Sequence, residues 1–199
     1  MSGTAELPVR ARSELVTIYA VHAAFQRDLG RLARGEAGRP GWERLKRFLR
    51  THQTAEDTCL WPILRARPVL VAAHERLEDE RIALIGLVDA VDAAVLTGRG
   101  LAGEVDRLAA AMSAYGRHET DLVEAVALRP PERDQLAWEH RRLLGMRGAG
   151  RFYPWLLDGA SARLREGVLA GLTPLDRLLY RAFWRRRYAH GLGGLAVGC

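Results

Sequence analysis

Four long apolar stripes with helical spacing run through residues 13–127, separated only by short Gly- and Pro-containing breaks. The first places Leu15, Ile18, His22, Phe25, Leu29 and Leu32 on one face, with Ser13 as N-cap. Gly35, Gly38 and Pro40 interrupt it. The second, from about Trp42 to Ala66, turns Leu45, Phe48, Leu49, His52, Glu56, Cys59, Leu60 and Ile63 inward, with Pro62 in its last turns and Pro68 at the next break. The third carries Leu70, His74, Leu77, Arg81, Leu84, Val88, Val91 and Val95, and Gly98 and Gly100 flank the turn after it. The fourth carries Leu101, Val105, Leu108, Met112, Tyr115, His118 or Glu119, Leu122 and Val126, and stops before Pro130-Pro131. Long amphipathic helices on short connections are antiparallel neighbours. The expected fold is therefore all-α, an up-down-up-down four-helix bundle over residues 13–129. No strand-like alternation competes with it.

Past Pro131 the pattern changes. Residues 132–146 read as a polar helix, Arg147 to Arg151 as a Gly-rich linker, and 152–190 as two shorter helices broken at Gly171 to Pro174. Phe152, Tyr153, Trp155, Tyr180, Phe183 and Trp184 give this stretch the composition of a packed segment, so 130–199 is expected to be a helical extension lying on the bundle.

The informative residues are the polar ones on the apolar stripes. His52 and Glu56 are four apart and share one helix face. A buried carboxylate needs a counter-charge or a metal. If each turn is taken as a mirror point, His22 faces the interval between His52 and Glu56, that interval faces Arg81, and Arg81 faces the neighbourhood of His118. Five polar side chains from four helices then share one layer, to within about a turn at ~1.5 Å per residue. Three imidazoles and one carboxylate form a nitrogen–oxygen site suited to iron, with manganese or zinc as alternatives. The expected metal ligands are His22, His52, Glu56 and His118. His74 lies about 10 Å further along its helix and is expected to meet Glu124 instead.

The segment His52-Gln-Thr-Ala-Glu56-Asp57-Thr-Cys-Leu60-Trp61-Pro62, with His22 on the helix before it, resembles the hemerythrin-like (HHE cation-binding) family, in particular its actinobacterial members. The likeness covers about residues 13–127, and Phe152 to Asp158 is similar to an extension that some members carry. The resemblance implies two irons bridged by carboxylates, and handling of dioxygen, peroxide or nitric oxide. In the second half this chain departs from the pattern: Arg81 stands where the third-helix histidine is expected, Ala114 where the second HxxxE histidine is, and His118 where its glutamate is. A mononuclear centre follows as an expectation, with the guanidinium of Arg81 near the second metal position, opposing a second cation and available to a bound peroxide or substrate carboxylate. In a competing register His74 or Asp121 serves as ligand and two metals remain. A third reading is a metal-free bundle in which Glu56 pairs with Arg81.

The resulting functional expectation is a non-haem iron redox protein that acts on dioxygen, peroxide or a small organic substrate. The alternative is a metal-free or regulatory binding module. The net charge of +6 raises nucleic acid as a partner, but the arginines are spread through the chain apart from Arg185, Arg186 and Arg187, and Lys46 is the only lysine. That pattern reads as solvated surface. Cys59 and Cys199 have no framework spacing, Met1 to Arg12 has no apolar core of a secretory signal, and no run of about 18 apolar residues occurs, so a cytoplasmic protein is expected. His140 and His190 are read as surface or packing residues.

Overall fold

Every regular element among the described residues is helical, as the stripes predict. The computed structural model describes residues 16–67, 71–126 and 128–189. Met1 to Arg12, Ser13, Leu15, Pro68, Leu70, His190 and Cys199 lie outside them.

Helix α1 (Val16–Ala33) buries Ile18, Val21, Phe25, Leu29 and Leu32 along one face. It ends in a left-handed glycine: Gly35 has φ +73°, its N–H reaches Leu32 O at 3.0 Å, and Glu36 N reaches Arg31 O at 2.9 Å. These two bonds satisfy carbonyls that the last helical turn leaves free. Helix α2 (Gly38–Ala55) returns beside α1, with Trp42, Leu45, Phe48, Leu49 and His52 buried.

Beyond Ala55 the chain departs from a simple α-helix. Pro62 has no N–H and crowds the carbonyl four residues back, so the helix widens into a π-helical turn over Glu56–Leu60 before resuming as α3 (Trp61–Arg65). Trp61 N bonds Glu56 O, five residues back. The extra residue moves the buried stripe on by one. Trp61 and Leu64 are buried where an unbroken helix buries Ile63.

Helix α4 (Val71–Thr97) has a narrow core-facing stripe of Leu77, Leu84 and Val91. It turns at Gly98 and Gly100, both at positive φ, into α5 (Leu101–Val126). Helices α4 and α5 pack along each other, and α5 packs along α1. The α1–α5 pair is antiparallel: Tyr19 donates to Glu124, His22 meets Glu119, and Gln26 Nε2 donates to Ala109 O.

Helix α6 (Pro130–Leu156) lies on α2, on α1 and on the π-helical turn. It is broken at Gly145, whose φ of 59° and ψ of −178° belong to a region that essentially only glycine occupies. The break thus precedes the expected linker, and Arg147 to Arg151 is helical. Packing overrides the poor helix propensity of its glycines: a Cβ on Gly150 would stand 2.9 Å from Trp184 Nε1. Helices α7 (Ala162–Gly171) and α8 (Pro174–Leu179) follow, capped by the hydroxyls of Ser161 and Thr173. A second π-helical turn, Tyr180–Trp184, leads into a last turn that extends to residue 189.

The aromatic residues of this stretch pack as their composition suggests, except Phe183, which is exposed. Trp155 and Phe152 close over Phe48, with ring centroids 4.5 and 5.2 Å away. Asp28 on α1 holds this arrangement from below. It is 2% exposed and accepts from Trp155 Nε1 at 2.7 Å and Arg44 Nη2 at 3.1 Å. Arg27 and Arg31 stand beside it, and Arg31 Nη1 also reaches Asp158 at 2.8 Å. No helix among the described residues is long and apolar enough to cross a membrane.

Candidate metal centre

The polar layer lies between α1, α2 and α5. His22 of α1 and His52 of α2 sit edge to face, with ring centroids 5.5 Å apart. Glu119 of α5 approaches His22 Nε2 at 3.1 Å and is fully buried. Glu56, at the start of the π-helical turn, places Oε1 2.7 Å from His52 Nε2 and is also buried. One ligand atom from each of His22, His52 and Glu119 falls within 4.8 Å of the others.

Two residues that carry no charge shape this layer. Gly116 is one turn before Glu119 on α5, and a Cβ there would stand 2.9 Å from His22 Nδ1. The missing side chain is what lets the imidazole lie flat on the helix. Gly116→Ala should therefore displace His22 and weaken binding of any metal held in this layer ~10-fold or more, although alanine is the better helix former for α5. Metal titration together with thermal melting checks this. A variant with unchanged affinity would remove Gly116 from the site.

The second residue is His140 of α6, which is buried rather than at the surface. Its Nδ1 stands 3.2 Å from Leu136 O and its Nε2 stands 3.3 Å from His52 Nδ1. A carbonyl only accepts, so the His140 proton sits on Nδ1 and its Nε2 accepts from His52 Nδ1–H. Burial keeps both rings below the ordinary histidine range and hence neutral. The relay leaves His52 Nε2 as a bare lone pair turned into the layer. It is the arrangement of a metal-ligating histidine oriented through its other nitrogen.

Buried polar atoms gather here. His22 Nε2, His52 Nε2 and both carboxylate oxygens of Glu56 and Glu119 are buried without a well-aligned hydrogen-bond partner. The contacts at 2.7 and 3.1 Å are close approaches and not aligned bonds. Burial, and then the charge of Glu119, push the Glu56 carboxyl well above the usual range. Burial acts on Glu119 in the same sense, but His22 beside it outweighs that and brings it down to about 2. Such a set is costly as it stands. Ligands ~2.1 Å from one shared ion lie about 3 to 4.2 Å apart, so a small inward rotation of these side chains would seat a cation. The donor set fits a divalent first-row metal.

The sequence-derived residues divide. His22, His52 and Glu56 come together; His118 does not join them. His118 is the outward neighbour of Glu119, with Nδ1 2.9 Å from Glu80 and Nε2 3.2 Å from Arg76. The spacing along α5 explains this. Leu108, Met112, Tyr115, Glu119, Leu122 and Val126 alternate steps of four and three, and residue 118 falls outside that rhythm. Arg81 stands behind the π-helical turn, with Nη1 3.1 Å from Asp57 and Nη2 2.8 Å from Glu78. It pairs with those carboxylates and not with Glu56. His74 packs on Trp61 and accepts from Arg65 Nε at 3.3 Å, while Glu124 takes Tyr19. Asp121 is exposed. Cys59 is a buried filler with its thiol 3.9 Å from Gln135 O.

Two cavities adjoin the centre and differ in size and place. One of about 20 Å³ is bounded by His22, His52, Gln26, Gln53 and Tyr115, and the Tyr115 hydroxyl is buried without a partner. It has room for about one water-sized molecule. The other, about 90 Å³ and mostly apolar, lies on the His140 side of His52, away from the converging lone pairs. No family model, curated protein or solved structure matches this chain.

Proposed function

We propose that the chain is a hemerythrin-like, non-haem iron protein that binds one metal ion through His22, His52 and Glu119, with the carboxylate of Glu56 as a fourth ligand. The observation that carries this reading is the convergence of six buried imidazole and carboxylate atoms without hydrogen-bond partners. The antiparallel contacts support an up-down-up-down arrangement of α1, α2, α4 and α5. Asp28 meets Arg44 while His22 meets His52, and Lys46 meets Asp92 while Asp57 meets Arg81. On this reading residues 130–199 form the extension, and His140 is its contribution to the centre. A reducing cytoplasm suits the unpaired, buried Cys59.

Iron bound here would supply a redox-active Lewis acid toward dioxygen, nitric oxide or peroxide. The protein side of that chemistry is small in scale. The cavity of about 20 Å³ has room for little more than a water-sized molecule, which suits a small oxidant better than an organic metabolite. Tyr115 lines it with a phenol that burial, and then the charge of Glu119, keep protonated and able to donate. The aromatic and aliphatic walls, Phe25, Leu49, Leu84 and Met112, limit water. Small oxidants are therefore favoured over an organic substrate.

Metal analysis of anaerobically purified protein, with the optical spectrum before and after air, tests this. One iron per chain and a spectrum that changes on oxygenation are expected. Two irons would restore a dinuclear centre. Metal content near zero after expression with iron supplied would leave a metal-free helical module.

A further inference from the structure

The arginines that remain outside the centre are not all scattered. Helix α2, the second half of α6 and the C-terminal helix enclose an open cleft of about 1030 Å³. Arg44 and Arg47 enter it from α2, Arg147 and Arg151 from α6, and Arg187 from the last turn. The spacings of three and four residues put each helical pair on one face. Glu43 is the only carboxylate on the lining among the described residues, and Lys46 Nζ already lies 3.3 Å from it. Among the described residues, Arg47, Arg147, Arg151 and Arg187 have no ion-pair partner. Arg44 gives Nη2 to Asp28, yet its Nε is buried without a partner, as is the hydroxyl of Tyr188 on the same wall. Like charges one turn apart on a helix disfavour the fold unless something neutralises them.

The cleft also has a fixed aromatic wall. Trp184 lies against Gly150, where a Cβ would stand 2.9 Å from its Nε1, and stacks on Tyr153 at 6.2 Å and 14°. A ring held from behind in this way offers a flat, pre-positioned face to a planar group. Guanidinium forks match phosphate oxygens bidentately. The volume is that of a small-molecule site, and the arginines converge on a hollow rather than running along a ridge as for a long nucleic acid.

We propose that this cleft binds a small, multiply charged organic phosphate with a planar aromatic group, of the nucleoside di- or triphosphate class, at a site separate from the metal centre. Phosphates engage Arg47, Arg147, Arg151 and Arg187, and the planar group rests on Trp184.

Calorimetric titration of the full chain, as purified and after chelation, with adenosine triphosphate, pyrophosphate and adenosine tests this. The triphosphate should bind one per chain in both metal states, pyrophosphate at least tenfold more weakly, and adenosine without detectable heat. Arg147→Gln with Arg151→Gln should weaken the triphosphate at least tenfold. Both side chains are exposed, so the fold is retained, and circular dichroism checks that. Arg107→Gln on α5, whose arginine pairs with Glu104 far along the sequence from the cleft, should leave binding unchanged. Trp184→Leu should narrow the gap between triphosphate and pyrophosphate. Absence of triphosphate binding, equal loss in Arg107→Gln, or equal affinity for pyrophosphate would overturn the proposal. A single-stranded oligonucleotide that binds at least tenfold tighter than the triphosphate, and is lost in the same double variant, would also overturn it and make nucleic acid the ligand.

Discussion

Alanine at His22, His52 or Glu119 should each lower iron affinity by more than ~100-fold, while His118→Ala leaves it unchanged. The scale follows from what the residues do. Substituting a group that merely orients a metal ligand costs about 10- to 100-fold, and on the proposed reading these three supply the ligand atoms themselves. Glu56→Gln belongs to the same series, because it keeps the shape of the turn and removes only the charge. His118 is the discriminating control. It is adjacent to Glu119 in sequence, yet it faces Glu80 and Arg76 on the outer side of α5. Competition with a chromophoric chelator reads the affinities, and far-ultraviolet circular dichroism confirms that each variant folds. Loss of iron in His118→Ala with retention in Glu119→Ala would mean that α5 is turned by about 100° from the orientation described.

The second large effect is on stability. Asp28→Ala should destabilise the chain by about 3 to 5 kcal/mol, the usual result of removing one partner from a buried charged network. Trp155 Nε1 would lose its acceptor, and Arg27, Arg31 and Arg44 would lose the carboxylate that neutralises them. Urea denaturation followed by tryptophan fluorescence gives the difference directly. A loss under about 1 kcal/mol would show that Asp28 is dispensable, since that is the range of an exposed ion pair. The site should register the change as well, because Trp155 packs on Phe25 and Phe25 packs on His52.

Much of this was legible in the residues, and the exceptions have causes. The stripes of α1, α2 and α5 follow a helical period closely enough to place His22, His52 and Glu56 together. The same period selects Glu119 over His118 when the steps from Leu108 to Val126 are followed. The motif likeness pulled the other way, because it aligned His118 with Glu56. Helix α2 loses its phase after Glu56 because Pro62 imposes a wider turn, and no periodic pattern announces where the extra residue goes. His140 gave no signal. It lies on a largely polar helix, on the one face that α2 and the π-helical turn cover. The segment Arg147 to Arg151 looks like a linker by composition, yet it is helical, and its Gly150 leaves the space that Trp184 occupies.

Gly145 has a mechanical consequence. The two parts of α6 answer to different neighbours: the first seats His140 behind His52, and the second holds Trp155 on Asp28 and turns Arg147 and Arg151 into the cleft. They are joined by one residue in a backbone region open almost only to glycine, and Arg141 Nη2 reaches Met146 Sδ at 3.5 Å across it. A side chain at position 145 would strain that joint, so a single substitution there bears on His140 and on the cleft at once, because one helix carries both.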